Sequence, residues 1–113
     1  MYNQTQLEDI LVEAQQAAKN ASSQHILKHG ESPMCGFAWV NIYRFQGKKI
    51  TGNTKMGRLL KKLGVRQDYT RTFSQWDNWY GGQSIDVKES GARAFADVLE
   101  QYGFTAYAGS RLD

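Results

Sequence analysis

The run Cys35-Gly-Phe-Ala-Trp-Val-Asn-Ile-Tyr-Arg-Phe45 constrains the fold more than any other part of the chain. Aromatic and β-branched residues dominate it, and successive side chains of a strand point to opposite faces. Phe37, Trp39, Asn41, Tyr43 and Phe45 then share one face, and Ala38, Val40, Ile42 and Arg44 the other. Both faces are largely apolar, so the run reads as a central strand rather than an edge. Cys35, leading into it, reads as a packing residue and not as a reactive thiol.

The flanking segments supply elements to cover such a strand. Thr5-Gln6-Leu7-Glu8 fits a capping box, and Leu7, Ile10, Leu11, Ala14, Ala17, Ala18 and Ala21 recur at helical spacing. A helix is expected from about Gln6 to Leu27, stopped by Gly30 and Pro33. Its alanine-rich stripe lets a neighbour approach closely. His25 and His29 lie one turn apart near its end, where a favourable interaction with the helix dipole explains them better than a metal does. Gln46-Gly47-Lys48-Lys49 reads as a turn, with a short return strand at Ile50-Thr51. Thr54 caps a short helix with Met56, Leu59, Leu60 and Leu63 inward and Gly64 at its end. Tyr69 to Tyr80 should hold a strand ending near Gly81-Gly82. Ser84 or Asp86 caps a helix that buries Ala92, Phe95, Val98, Leu99 and Tyr102, and Gly103 ends it. Phe104 to Ala108 is a last strand, closed by Gly109-Ser110-Arg111. The order α-β-α-β-α-β with short connections predicts one α+β two-layer domain over residues 1–113, with a three- or four-stranded sheet packed by about three helices. Exposed sheet edges and the alanine-rich helix also leave room for a homo-oligomer.

A chain of 113 residues, 41% hydrophobic and 22% charged, can bury a core without staples and is not of disordered type. No apolar run approaches the ~20 residues that span a bilayer, and no basic segment followed by an apolar one opens the chain, so a cytoplasmic location and no membrane partner are expected. Cys35 is the sole cysteine, which excludes an intrachain disulfide and fits a reducing compartment. No metal site and no cofactor are assigned. Asp77, Asp86, Glu89 and Asp97 lie at no spacing that marks a catalytic pair, with no histidine near them in sequence, so the reading leans away from an enzyme.

Binding chemistry has more to draw on. Residues 44–71 carry nine basic side chains against Asp68 alone, whereas residues 72–113 carry three basic and six acidic groups. Lys55, Arg58, Lys61, Lys62 and Arg66 form the dense part of that block, either as a polyanion-binding surface or as a solvated helix face. Trp76, Trp79 and Tyr80 fall within five residues and cannot all enter a small core from one strand, so at least one should face outward as a stacking platform or a protein-interface anchor. Gly81, Gly82, Gln83 and Ser84 precede a helix N-terminus, which suits a phosphate or carboxylate, although the spacing matches no nucleotide-binding fingerprint and a plain turn reads equally well. Arg111 could fork onto a phosphate, or pair with Asp113 or another acid. Together these features favour a non-enzymatic protein that binds nucleic acid or a nucleotide-like ligand. The rival is a protein-interaction module in which the same aromatics anchor a partner.

Three segments carry a resemblance: Cys35-Gly36-Phe37-Ala38-Trp39-Val40, Gly82-Gln83-Ser84, and Gly109-Ser110-Arg111-Leu112-Asp113. With them the chain resembles a group of small proteins of tailed bacteriophages over about residues 34–113. Residues 1–30, the N-terminal helix, then stand as a variable addition. The resemblance implies a phage origin and action in the host cytoplasm, on a host protein or as a minor assembly component in the rival reading. It carries over no functional residue.

Overall fold

The computed structural model describes all 113 residues. Three helices, α1 (Gln4–His29), α2 (Lys55–Lys62) and α3 (Ile85–Gln101), combine with five strands, β1 (Gly36–Phe45), β2 (Lys48–Lys49), β3 (Arg66–Gln67), β4 (Phe73–Trp76) and β5 (Phe104–Leu112). This is the expected α+β domain. The antiparallel sheet has five strands because two of them, β2 and β3, are only two residues long.

β1 is the central strand. β5 pairs with it over nearly its whole length, from Gly36↔Leu112 to Phe45↔Phe104. β4 and β2 share its other side in tandem, at residues 39–42 and 44–45, and β3 continues the sheet beyond β4. The long helices α1 and α3 cover one face. Leu7, Ile10, Ala14 and Ala18 of α1 meet Ala92, Phe95 and Leu99 of α3, and both helices close on Ala38, Val40, Ile42, Phe73 and Ala106 of the sheet. Each large apolar side chain fully buried there contributes about 1.5–3 kcal/mol. The opposite face of the sheet carries no helix.

Several local readings change. α1 is capped by Asn3, not Thr5: the Asn3 carboxamide accepts from the Gln6 N–H at 2.8 Å and the Gln6 side chain accepts from the Asn3 N–H at 3.0 Å, a capping box two residues upstream. The hairpin after β1 turns on Gln46 and Gly47, both at positive φ (50° and 78°), the two-residue turn that matches strand twist. Lys48 and Lys49 therefore belong to the return strand. In β1 the register against β5 shifts between Ile42 and Arg44. Tyr43 is the extra residue of this bulge, so Tyr43 and Arg44 are both exposed and Phe45 rotates into the core. Strict alternation had placed Phe45 with the outer aromatics. Cys35 is exposed, because it precedes the strand and only bridges to Ser84. Finally, Gly109-Ser110-Arg111 closes nothing: it continues β5 to Leu112.

Candidate functional site

Register determines what stands on the uncovered face. Cross-strand partners project to the same side, so three rows follow from the pairing. The first is Arg111 and Phe37, the second Gly109, Trp39 and Trp76, and the third Tyr107, Asn41, Ser74 and Arg66. Tyr43 follows at the bulge. Five aromatic rings thus occupy one face: Trp39 stacks on Trp76 at 4.9 Å and 30°, Phe37 meets Trp76 edge-on at 6.2 Å, and Tyr43 lies 5.8 Å from Tyr107. Trp76, Tyr107 and Tyr43 are exposed, at 43%, 58% and 38%. Gly109 is part of the construction, since a Cβ there would sit 2.6 Å from Trp39 Nε1.

The cations around this face are unequally placed. The Arg111 guanidinium lies 5.6 Å from the centre of the Phe37 ring, and its partner is that ring and no carboxylate. Lys88 reaches the same ring from the core side, at 5.4 Å. It is 5% exposed, donates to the Gly36 carbonyl at 2.9 Å and stands 3.8 Å from Asp77 Oδ2. Asp77 Oδ2 also accepts from the Ala38 N–H at 3.0 Å, while the Asp77 N–H donates to the Ala38 carbonyl. The Asp77 carboxylate thus extends the β1–β4 ladder by one step and holds Trp76 over Trp39. Nothing local in the sequence marks Lys88 or Asp77 for this role.

The loop 68–72 rises beside the platform. Asp68 Oδ1 accepts from the Thr70 N–H, the Thr70 hydroxyl and the Thr72 N–H. The Thr70 hydroxyl bond is the largest influence on the Asp68 carboxyl; burial opposes it, and the Thr72 and Thr70 backbone bonds tip the balance to a value below the ordinary 3.8. The turn puts Arg71 at positive φ (66°) and lifts Tyr69 to 97% exposure. Between loop and sheet lies a hollow of about 500 Å³ floored by Asn41 and Ser74 and walled by Trp39, Trp76, Tyr43 and Thr70. Arg111 stands at its rim. Past Tyr43 and the same loop it continues into a second groove that Lys49 and Lys61 line.

The residues expected from sequence divide accordingly. Trp76, Arg111 and Arg66 are brought onto one face, with Lys61 in the adjoining groove. Arg58 donates to the Asn53 carbonyl, Lys55 lines a separate recess with Lys48 and Phe45, and Lys62 is exposed on the far turn of α2. Trp79 is not a platform: it is 5% exposed, packs on Phe95 at 5.8 Å, and donates its indole N–H to the Lys88 carbonyl. Tyr80 is half-buried.

The turn Gly81–Ser84 spends two of the groups an anion would use on the fold itself. The Ile85 N–H, first of the free helix donors, goes to the Met34 carbonyl, and the Ser84 hydroxyl accepts from the Ser32 N–H instead of capping α3. The Gln83 carbonyl accepts from Gly36, so residues 32–36 lie across the helix start. Tyr80 folds back against Gly82, where an added Cβ would stand 2.2 Å from the Tyr80 hydroxyl oxygen. Burial first, and then its bond to the Glu31 carboxylate, raises the Tyr80 hydroxyl above the ordinary 10.0.

Nothing in their local sequence gives Phe37, Trp39, Asn41, Tyr43, Tyr69 or Tyr107 a binding role. One signal for the first four was present: their shared phase on β1, combined with too few helices to cover both faces of a sheet. His25 and His29 stack at 4.9 Å, and no group of three metal-ligating side chains is assembled anywhere in the fold. No protein-family model, curated protein or solved structure matches this chain.

Proposed function

We propose that the chain binds single-stranded nucleic acid on the open face of its sheet. The observation that carries this reading is the coincidence of an exposed stack, Trp39 on Trp76, with a guanidinium, Arg111, that no carboxylate neutralises. An aromatic face takes up unstacked bases of any sequence, and a nearby guanidinium binds the connecting phosphate. Arg66 at one end of the third row and Lys49 and Lys61 in the adjoining groove extend the positive surface along the path a strand would follow. Duplex DNA fits less well, because its bases are stacked internally and offer no faces to a flat sheet. Asp68 also lines this groove, and its Oδ1 is taken up by three donors of its own loop.

The test is fluorescence anisotropy of labelled oligonucleotides at two salt concentrations. The wild-type protein binds single strands with affinity that falls steeply as salt rises. Trp76→Ala lowers affinity by roughly 5- to 150-fold, the worth of about 1–3 kcal/mol for one base stack. Arg111→Gln lowers it and flattens the salt dependence, whereas Lys62→Gln has little effect. Binding that survives both Trp76→Ala and Arg111→Gln would refute the assignment. A protein-binding role for the same aromatics would instead show as salt-insensitive association.

A further inference from the structure

The hollow beside the Trp stack is built differently from the rest of the face, and its chemistry points to selection among bases. Asn41 occupies the centre of the third row, half-buried, between Trp39 on one side and Tyr43 on the other. The carboxamide is engaged by no other protein group, so both its donor and its acceptor are free to meet a ligand. Ser74, its cross-strand partner, is buried at the same floor, and the Thr70 and Thr72 side chains close the wall opposite. At about 500 Å³ the hollow lies within the range of small-molecule sites, roughly 300–1,000 Å³. Aromatic walls with one unpaired amide at the base make a slot for a flat ring whose edge carries an adjacent donor and acceptor.

We infer that Asn41 reads an adenine base inserted into this slot, its carboxamide pairing with the exocyclic amino group and the neighbouring ring nitrogen. Adenine is the base whose edge an asparagine amide matches with two bonds in the standard set of side-chain contacts, and each such pair is worth about 1–3 kcal/mol of discrimination. The stack holds the neighbouring base, and Arg111 at the rim takes the phosphate. The inference rests on the single-strand reading above and goes further, because stacking alone discriminates weakly between bases.

The probe is a labelled oligodeoxyadenylate, compared with the same oligomer carrying unsubstituted purine, which stacks alike but lacks the amino group. Wild-type protein binds the adenine oligomer about tenfold more tightly, the discrimination of one bidentate pair. Asn41→Ala and the strand-compatible Asn41→Thr erase that gap while keeping salt-dependent binding of both oligomers. Two outcomes overturn the inference and leave the broader reading standing: wild-type protein that binds both oligomers equally, or a gap that persists in both variants. Equal weakening of both oligomers with the gap intact gives Asn41 a structural role only and likewise overturns it. Failure of every oligomer to bind at low salt removes the single-strand reading and this inference together.

Discussion

At the scale of single residues, one carboxylate organises the loop that walls the site. Asp68 gathers the Thr70 and Thr72 donors, and the Thr70 hydroxyl is the main reason its carboxyl lies below 3.8. A lowered pKa means that the folded loop favours the charged form. The stabilisation is therefore complete above the unfolded value and disappears as pH falls through the lower folded one. NMR titration should show the Thr70 and Thr72 amide signals moving together with the Asp68 carboxyl at a pH below 3.8, and Thr70→Val should bring that midpoint back up. Independent midpoints for the carboxyl and the amides would mean that Asp68 does not hold the turn. Ser84 shows how a residue's role escapes local reading. It occupies the N-cap of α3 as its type suggests, yet its hydroxyl serves Ser32, 52 positions earlier, a partner that only the fold brings near.

At the scale of elements, α3 and the Trp79 segment depend on each other. The Trp79 indole lies against the helix at Gly91, where an added Cβ would stand 2.2 Å from Nε1 and 2.8 Å from Ser22 Oγ. Gly91→Ala gains up to about 1 kcal/mol of helix propensity. Overpacking a filled core costs about 1–3 kcal/mol or more, and here both close neighbours are themselves hydrogen-bonded. Net destabilisation is expected in urea unfolding; a stabilised variant would show that the indole can move aside. The same elements show what was legible beforehand. Helices with strong periodicity, α1 and α3, and the strand with continuous β-type residues, β1, are found close to where local pattern puts them. Two-residue strands escape, because β2 and β3 exist only through pairing with β1 and β4. The Tyr43 bulge escapes for a related reason: β1 alone alternates perfectly, and the shift arises in its match to β5. Of the candidate site, Trp76, Arg111, Arg66 and Lys61 were recognisable by type. Their assembly with Trp39 and Asn41 was not, since cross-strand register is a long-range property. Trp79 and Trp76 are three residues apart and chemically alike, yet one is core and the other surface.

At the scale of the whole molecule, charge is divided between the two long helices and the rest of the chain. α1 and α3 together hold seven acidic and four basic side chains, and the remainder of the chain holds ten basic and four acidic. In a body measuring 41 × 27 × 21 Å this separation sets an acidic pair of long helices against a basic remainder, a field that a charged partner would feel. None of the helices is long and apolar enough to cross a membrane. β5 adds a different property, because β1 is its only neighbour. Its nine residues contain neither proline nor lysine, and its single charge, Arg111, leans on Phe37. Native sheets commonly use those residues to stop strands from recruiting others. Two copies meeting through β5 around a two-fold axis would fuse their sheets into one ribbon and set two aromatic platforms side by side, a bivalent surface for one long strand. Sedimentation velocity should then reveal a dimer that grows with concentration and that Ala108→Lys dissolves; a monomer throughout would mean the ribbon does not form. In such a ribbon, occupancy of one platform raises the local concentration of the same strand at the other, and tight binding to long polymers follows from modest affinity at each half.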